Sequence, residues 1–183
     1  KELNAYASAG ILADHECSTA EEMQDRLANG MYILMRQGSA CHNLEALLPV
    51  VTERNARRCL LCSDDRQPKT IFEEGHLDDH LRKCVRHGIH PVTAVQMASL
   101  NAAEAFGLKD RGAIFPGLRA DIALVDNLEE FRARHVFIDG LEVAREGRYL
   151  PAVERADISP VRSSVHVKDF SIAKLKLKLA KNK

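Results

Sequence analysis

Short apolar runs that stop abruptly at charge punctuate the first half of the chain. Cys59-Leu60-Leu61-Cys62 ends at Ser63-Asp64-Asp65-Arg66, and Gly10-Ile11-Leu12-Ala13 ends at Asp14-His15-Glu16. Met31 to Met35 is a third run, followed by Arg36-Gln37-Gly38-Ser39. Runs of this length bounded by charge predict strands buried on both faces, as in a parallel sheet. The segments between them have helical character. Glu2 to Ala9 is helical in composition and stops at Gly10. Ser18-Thr19-Ala20-Glu21 reads as a capping box in which the Ser18 hydroxyl accepts the Glu21 amide. Ala20, Met23 and Leu27 mark one face of that helix, and Gly30 ends it. Asn43 to Asn55 carries Leu44, Leu47, Leu48 and Val51 on one side, with Pro49 disturbing it. Strands thus recur at intervals of about 20–25 residues, the rhythm of right-handed β-α-β crossovers.

Two further helices are predicted over His76 to His87 and Pro91 to Ser99, and Asn101 can cap a last one to Phe106. The pattern changes after Gly107. Asp121 to Val125 reads as a strand, and His135 to Val143 as a hairpin turning on Asp139-Gly140. The expected organisation is therefore an α/β part over residues 1–107, a small β unit over 108–148, and a C-terminal region or tail over 149–183. In that last region Val165 to Ile172 could form a strand. Lys174 to Leu179 alternates at period two, as a one-sided strand or a disordered end would.

Composition adds exclusions. The chain has 183 residues, 26 basic and 26 acidic, so no net charge draws it to nucleic acid or to an anionic membrane. No apolar run approaches a bilayer span. The start at Lys1 has no signal-peptide character and reads like the interior of a longer polypeptide. The five cysteines are odd in number and lie in apolar or helical patterns, which favours reduced thiols and a cytoplasmic setting. Cys59-x-x-Cys62 lies within a strand and has no second pair, so buried thiols are expected rather than a redox or zinc site.

The chemistry gathers at two strand ends. His15 and Asp64 each follow an apolar run, and in α/β folds the carboxyl ends of the strands carry the ligand site. A neutral imidazole there suits iron, manganese or zinc; the alternative is a histidine satisfied by Asp14 or Glu16. Arg36 ends the intervening strand and faces the same rim, to orient a carboxylate or a ligand, or simply to form a surface ion pair. His76 and His80 have helical spacing, but no Glu follows His76 as a zincin helix requires. The H-x-E and P-C-x-x-C signature of the nucleoside deaminases is absent too.

Several of these segments together resemble the bacterial adenine deaminases of the amidohydrolase superfamily. They are Leu3-Asn4-Ala5-Tyr6, Asp14-His15-Glu16-Cys17, Arg36-Gln37-Gly38-Ser39-Ala40, Ser63-Asp64-Asp65-Arg66, Glu74-Gly75-His76 and Asn101-Ala102-Ala103-Glu104. Asp110-Arg111-Gly112-Ala113-Ile114 with Pro116-Gly117 is shared more widely in the superfamily. The resemblance implies a partial (β/α)8 metal-dependent hydrolase barrel, holding its strands six to eight, with part of a β-sandwich appendage. It implies a binuclear manganese or iron centre, with zinc as a further candidate, and adenine hydrolysed to hypoxanthine and ammonia. On this resemblance His15 is a metal ligand, and Asp64 both binds metal and accepts a proton. Asp65 binds the purine or supports a neighbour of the metal, its alternative being to cap the following loop. Arg36 is placed with Asp65 at the substrate. The His-x-His pair of the family's first strand, and the ligands of its middle strands, are not among these residues. A homo-oligomer, or an N-terminal segment supplied in addition, is therefore expected. The isolated chain is expected to bind metal weakly and to leave sheet edges uncovered. Another amidohydrolase acting on a cyclic or open amide, or a non-catalytic piece, are the alternatives.

Overall fold

A computed structural model describes residues 2–177. The chain divides into two compact units, Lys1–Leu150 and Pro151–Lys183.

In the first unit, α1 (Glu2–Ser8) leads to β1 (Ala13–Asp14), α2 (Ala20–Ala28) and β2 (Tyr32–Arg36). Then come α3 (Leu44–Leu47), β3 (Cys59–Cys62), α4 (Pro68–Glu73), α5 (Leu77–Arg86), α6 (Pro91–Ala98) and α7 (Leu100–Ala105). β1, β2 and β3 form a parallel sheet in that order, with Asp14 paired to Ile33 and Arg36 to Cys62. Consecutive parallel strands joined by helices are what the spacing predicts.

Ile33, Met35, Cys59 and Leu61 turn to one side and pack on Met23, Leu44, Leu47, Cys84, Ala94 and Met97 from the helices. The burial predicted for both faces is found in β3, where Cys59, Leu60 and Leu61 are all buried, but in β2 on one face alone. Tyr32, Leu34 and Arg36 on the other face of β2 are only half-buried. β1 is also shorter than its apolar run. It pairs with β2 alone, and Leu12 is 68% exposed.

Local signals moved by a residue or two. The capping box uses Thr19 and Glu22, not Ser18 and Glu21, and the Glu22 carboxylate also accepts from the Ser18 backbone and hydroxyl. Either hydroxyl suits the motif, and the Glu22 carboxylate accepts from the Ser18 and Thr19 backbone N–H groups together. The helix expected over Asn43 to Asn55 is α3 followed by a 3₁₀ turn, Leu48–Val50, because Pro49 has no N–H with which to continue. Asn101 does not cap α7. It is buried within the helix, and its amide donates to the Ala56 and Cys59 carbonyls at 2.7 and 2.9 Å, tying α7 to the start of β3. α4 had no predicted counterpart, although Pro68 sits at its first turn as helix starts favour.

A meander of β4 (Ile122–Val125), β5 (Ala133–Ile138), β6 (Leu141–Arg145) and β7 (Arg148–Tyr149) completes the unit. Asp139 and Gly140 both have positive φ, 51° and 76°, as the two-residue turn predicted there requires.

The second unit is exposed along its described length, with 3₁₀ turns at Ser159–Val161 and Ile172–Leu175. The strand expected over Val165 to Ile172 is not formed. Val165 and Val167 are 82% and 58% exposed, and with no strand beside them their backbone has no ladder to join. The start of the alternating segment lies in the second 3₁₀ turn; Lys178 and Leu179 lie outside the described residues.

Candidate active site at the carboxyl rim of the parallel sheet

The sheet order places the ends of β1 and β3 on either side of β2, all three pointing the same way. His15 is the first residue after β1, Arg36 the last of β2, and Asp64 the second after β3. The His15 Nε2 lies 3.9 Å from Asp64 Oδ2, so residues 49 positions apart share one rim (64 − 15).

Arg36 organises this rim. Its Nη1 donates to Asp64 Oδ2 at 3.2 Å and lies 2.8 Å from Glu16 Oε2, while its Nε donates to Asn43 Oδ1 at 2.8 Å. Burial disfavours the guanidinium's charge, but the bond to Asp64 and the charge of Glu16 outweigh it, so the side chain stays firmly cationic. Glu16 Oε1 also lies 3.3 Å from His15 Nε2. Glu16 was read from the sequence only as the last residue of a charged triplet. The signal that could have found it is its position directly after His15 on a strand end.

The Asp14 carboxylate holds the backbone at this rim. Asp14 Oδ1 accepts the Glu16 N–H at 2.8 Å, and Asp14 Oδ2 is ion-paired with Arg26 on α2. Burial raises the Asp14 carboxyl, but the Glu16 amide and Arg26 together bring it below its ordinary value. Asp64 has a positive φ of 48°, a conformation that aspartate tolerates better than most residues and that turns the chain sharply off β3.

Asp65 faces elsewhere. Its two oxygens accept the Ser39 and Ala40 N–H groups at 3.1 and 2.9 Å, on the loop after β2. The Ala40 amide, ahead of the Ser39 amide, holds its carboxyl below the ordinary value. Both Asp65 oxygens are thereby engaged by the loop after β2, which precedes Asp65 in the chain, and not by the loop that follows it. Gly38 allows this approach, since a Cβ there would lie 1.6 Å from Asp65 Oδ1. Arg66 is buried beneath and donates to the Gln37 and Gly75 carbonyls and to Asp79 and Glu74.

The other candidates stand apart from the rim chemistry. His80 is fully buried, with its ring nitrogens 2.9 and 3.1 Å from the His76 and Cys62 carbonyls. All five cysteines are free. Burial pushes the Cys59 and Cys84 thiols up to about 12, which suits inert core thiols.

The first unit is thus an α/β fold whose three-stranded parallel sheet carries an imidazole, carboxylates and a guanidinium at its carboxyl rim. The chain belongs to the amidohydrolase family, whose model matches residues 2–143. It is 61% identical over 175 residues to adenine deaminase 2 of Desulfotalea psychrophila (strain LSv54 / DSM 12343), covering 96% of this chain and 30% of that protein. It is 50% identical over 183 residues to the adenine deaminase of Ligilactobacillus salivarius (strain UCC118), covering 32% of it. The chain thus spans about a third of the length of these curated relatives. Among solved structures, the β-aspartyl dipeptidase of Fervidobacterium islandicum AW-1 superimposes with a TM-score of 0.60 at 19% identity, over 74% of this chain and 38% of that one. That likeness shows the fold alone.

Membership of the family implies a divalent metal. The imidazole of His15 and the carboxylate of Asp64 are suitable donors for manganese, iron or zinc. Among the described residues no group of three or more His, Cys, Asp or Glu side chains gathers to hold an ion. The residues present therefore fit one part of a centre.

Proposed function

We propose that this chain forms part of an enzyme that hydrolyses adenine to hypoxanthine and ammonia. Residues 1–107 supply the last strands of the (β/α)8 barrel, 108–148 contribute to a β-sandwich, and 149–183 begin a C-terminal region. The observation that carries the reading is the pairing of 61% identity to an adenine deaminase with the convergence of His15 and Asp64 on one rim. Five free cysteines support a reducing, cytoplasmic setting.

His15 and Asp64 would hold one side of a binuclear manganese or iron centre, zinc being the further candidate. An ion held there would supply acidity to a bound water, whose pKa would fall from 15.7 toward about 7. Asp64 then does the proton work. Its Oδ2 is engaged by Arg36, which leaves Oδ1 to take the proton of the attacking water. A bond forms from the water oxygen to C6 of the purine as the C6–N1 π pair shifts onto N1. Asp64 passes its proton to the exocyclic nitrogen. The N1 pair re-forms the bond to C6 as the C6–N bond to the amino group breaks, and ammonia leaves. Transfer of the C6 hydroxyl proton to N1 gives hypoxanthine. Arg36 keeps the carboxylate from swinging, and Asn43 keeps Arg36 in place.

The test is a chimera in which this chain replaces the matching segment of its 61% identical relative. Loaded with manganese, it is expected to convert adenine to hypoxanthine with stoichiometric ammonia. Turnover of a cyclic amide and none of adenine would replace this reading with the other amidohydrolase one. A folded, metal-loaded chimera inert toward both would leave the non-catalytic reading.

A further inference from the structure

Glu16 is an acidic group of the rim for which the proton-transfer scheme has no use. Glu16 lies beside Arg36, and the Arg36 Nη1 that touches Asp64 Oδ2 at 3.2 Å is also 2.8 Å from Glu16 Oε2. Glu16 is therefore one guanidinium away from the carboxylate that moves the proton. It is also the most open member of the group. Its side chain is 61% exposed, against 30% for Asp64 and 12% for Arg36, so it has room to accept hydrogen bonds from a ligand at the rim. Its backbone is fixed all the same, because Asp14 accepts its N–H and is itself clamped by Arg26.

A carboxylate next to a guanidinium presents an acceptor beside a donor. The reacting edge of adenine presents the complement, a 6-amino donor beside the N1 acceptor. Hypoxanthine reverses that order, with a C6 carbonyl acceptor beside an N1–H donor. A carboxylate opposite the product carbonyl brings two acceptors together and leaves both without a proton. We infer that Glu16, paired with Arg36, reads the amino edge of the purine and is the specificity-determining residue that favours substrate over product. This inference rests on the proposed deamination and adds the group that recognises its substrate.

The experiment uses the manganese-loaded chimera and its Glu16→Gln and Glu16→Asp variants. It measures adenine KM and kcat, the hypoxanthine inhibition constant, hypoxanthine binding by equilibrium dialysis, and bound manganese. Glutamine keeps the size of the side chain and can offer an N–H to the product carbonyl. In Glu16→Gln the ratio of hypoxanthine Ki to adenine KM is expected to fall by about tenfold or more, with kcat changed less and manganese retained. Dialysis should show tighter hypoxanthine binding, which a loss of structure would not produce. Glu16→Asp keeps the charge on a shorter arm and should move the ratio part of the way. An unmoved ratio in both variants would overturn the assignment, as would loss of manganese in Glu16→Gln, which would make Glu16 a ligand. Absence of adenine turnover in the parent chimera would instead bring down the functional reading beneath it.

Discussion

Replacing Arg66 by methionine removes a guanidinium that is 1% exposed and has four acceptors around it. Its Nε donates to the Gly75 carbonyl at 2.8 Å and its Nη1 to the Gln37 carbonyl at 3.1 Å. Its Nη2 reaches Asp79 at 3.0 Å and Glu74 at 3.2 Å. The four losses are unequal. Asp79 keeps Lys83 at 2.8 Å, and Glu74, 49% exposed, can return to water. The two backbone carbonyls lose a charged donor, worth about 1.5–3 kcal/mol each. Methionine regains part of that by burying apolar surface, so a net loss of about 3 kcal/mol is expected, at the low end of the range for breaking a buried ion pair. For a chain of this length that corresponds to roughly 6–12 °C in thermal midpoint. Urea denaturation followed by circular dichroism should show the midpoint falling with an unchanged slope. Because Arg66 joins the loop after β3 to the loop after β2, the same variant in the chimera should lose turnover beyond its loss of folded protein. A destabilisation under about 1 kcal/mol would refute the view that this guanidinium holds the two rim loops together.

Three more outcomes are expected. Asp64→Asn in the chimera should nearly abolish deamination, because an amide cannot take up the proton; near-normal kcat would rule Asp64 out as the base. Gly38→Ala would put a Cβ 1.6 Å from Asp65 Oδ1 and expel that carboxylate from the Ser39 and Ala40 amides, so adenine KM should rise more than kcat falls, and Asp65→Asn should do the same more mildly. Burial is the largest influence on His80 and, despite the two carbonyls that favour its charged form, brings its pKa below the ordinary 6.5. The unfolded chain therefore binds the proton first, and the stability His80 contributes is present above about pH 6.5 and lost as pH falls toward the folded value. His80→Gln should flatten that part of a stability profile, and an identical slope in both proteins would exclude His80 as its source.

The two parts of the chain differ in what sequence alone determined. Runs such as Met31 to Met35 and Cys59 to Cys62 specify strands because few other structures accommodate unbroken apolar segments bounded by charge. Their spacing specifies a parallel order, so His15, Arg36 and Asp64 could be assigned to one rim before any coordinate was known. The Asp139-Gly140 turn was legible for a similar reason, since few residue pairs accept two positive φ angles. Contacts between segments far apart in sequence were not legible. Asp14, Asp65 and Asn101 look like solvated or capping residues until folding brings Arg26, the Ser39–Ala40 amides and the Ala56 and Cys59 carbonyls to them. A polar side chain carries no local mark of the partner it will meet, because hydrogen bonds have no sequence period. The grouping of Glu16 with Arg36 and Asp64 was likewise decided only by tertiary structure, which set three strand ends side by side and let one guanidinium reach two carboxylates.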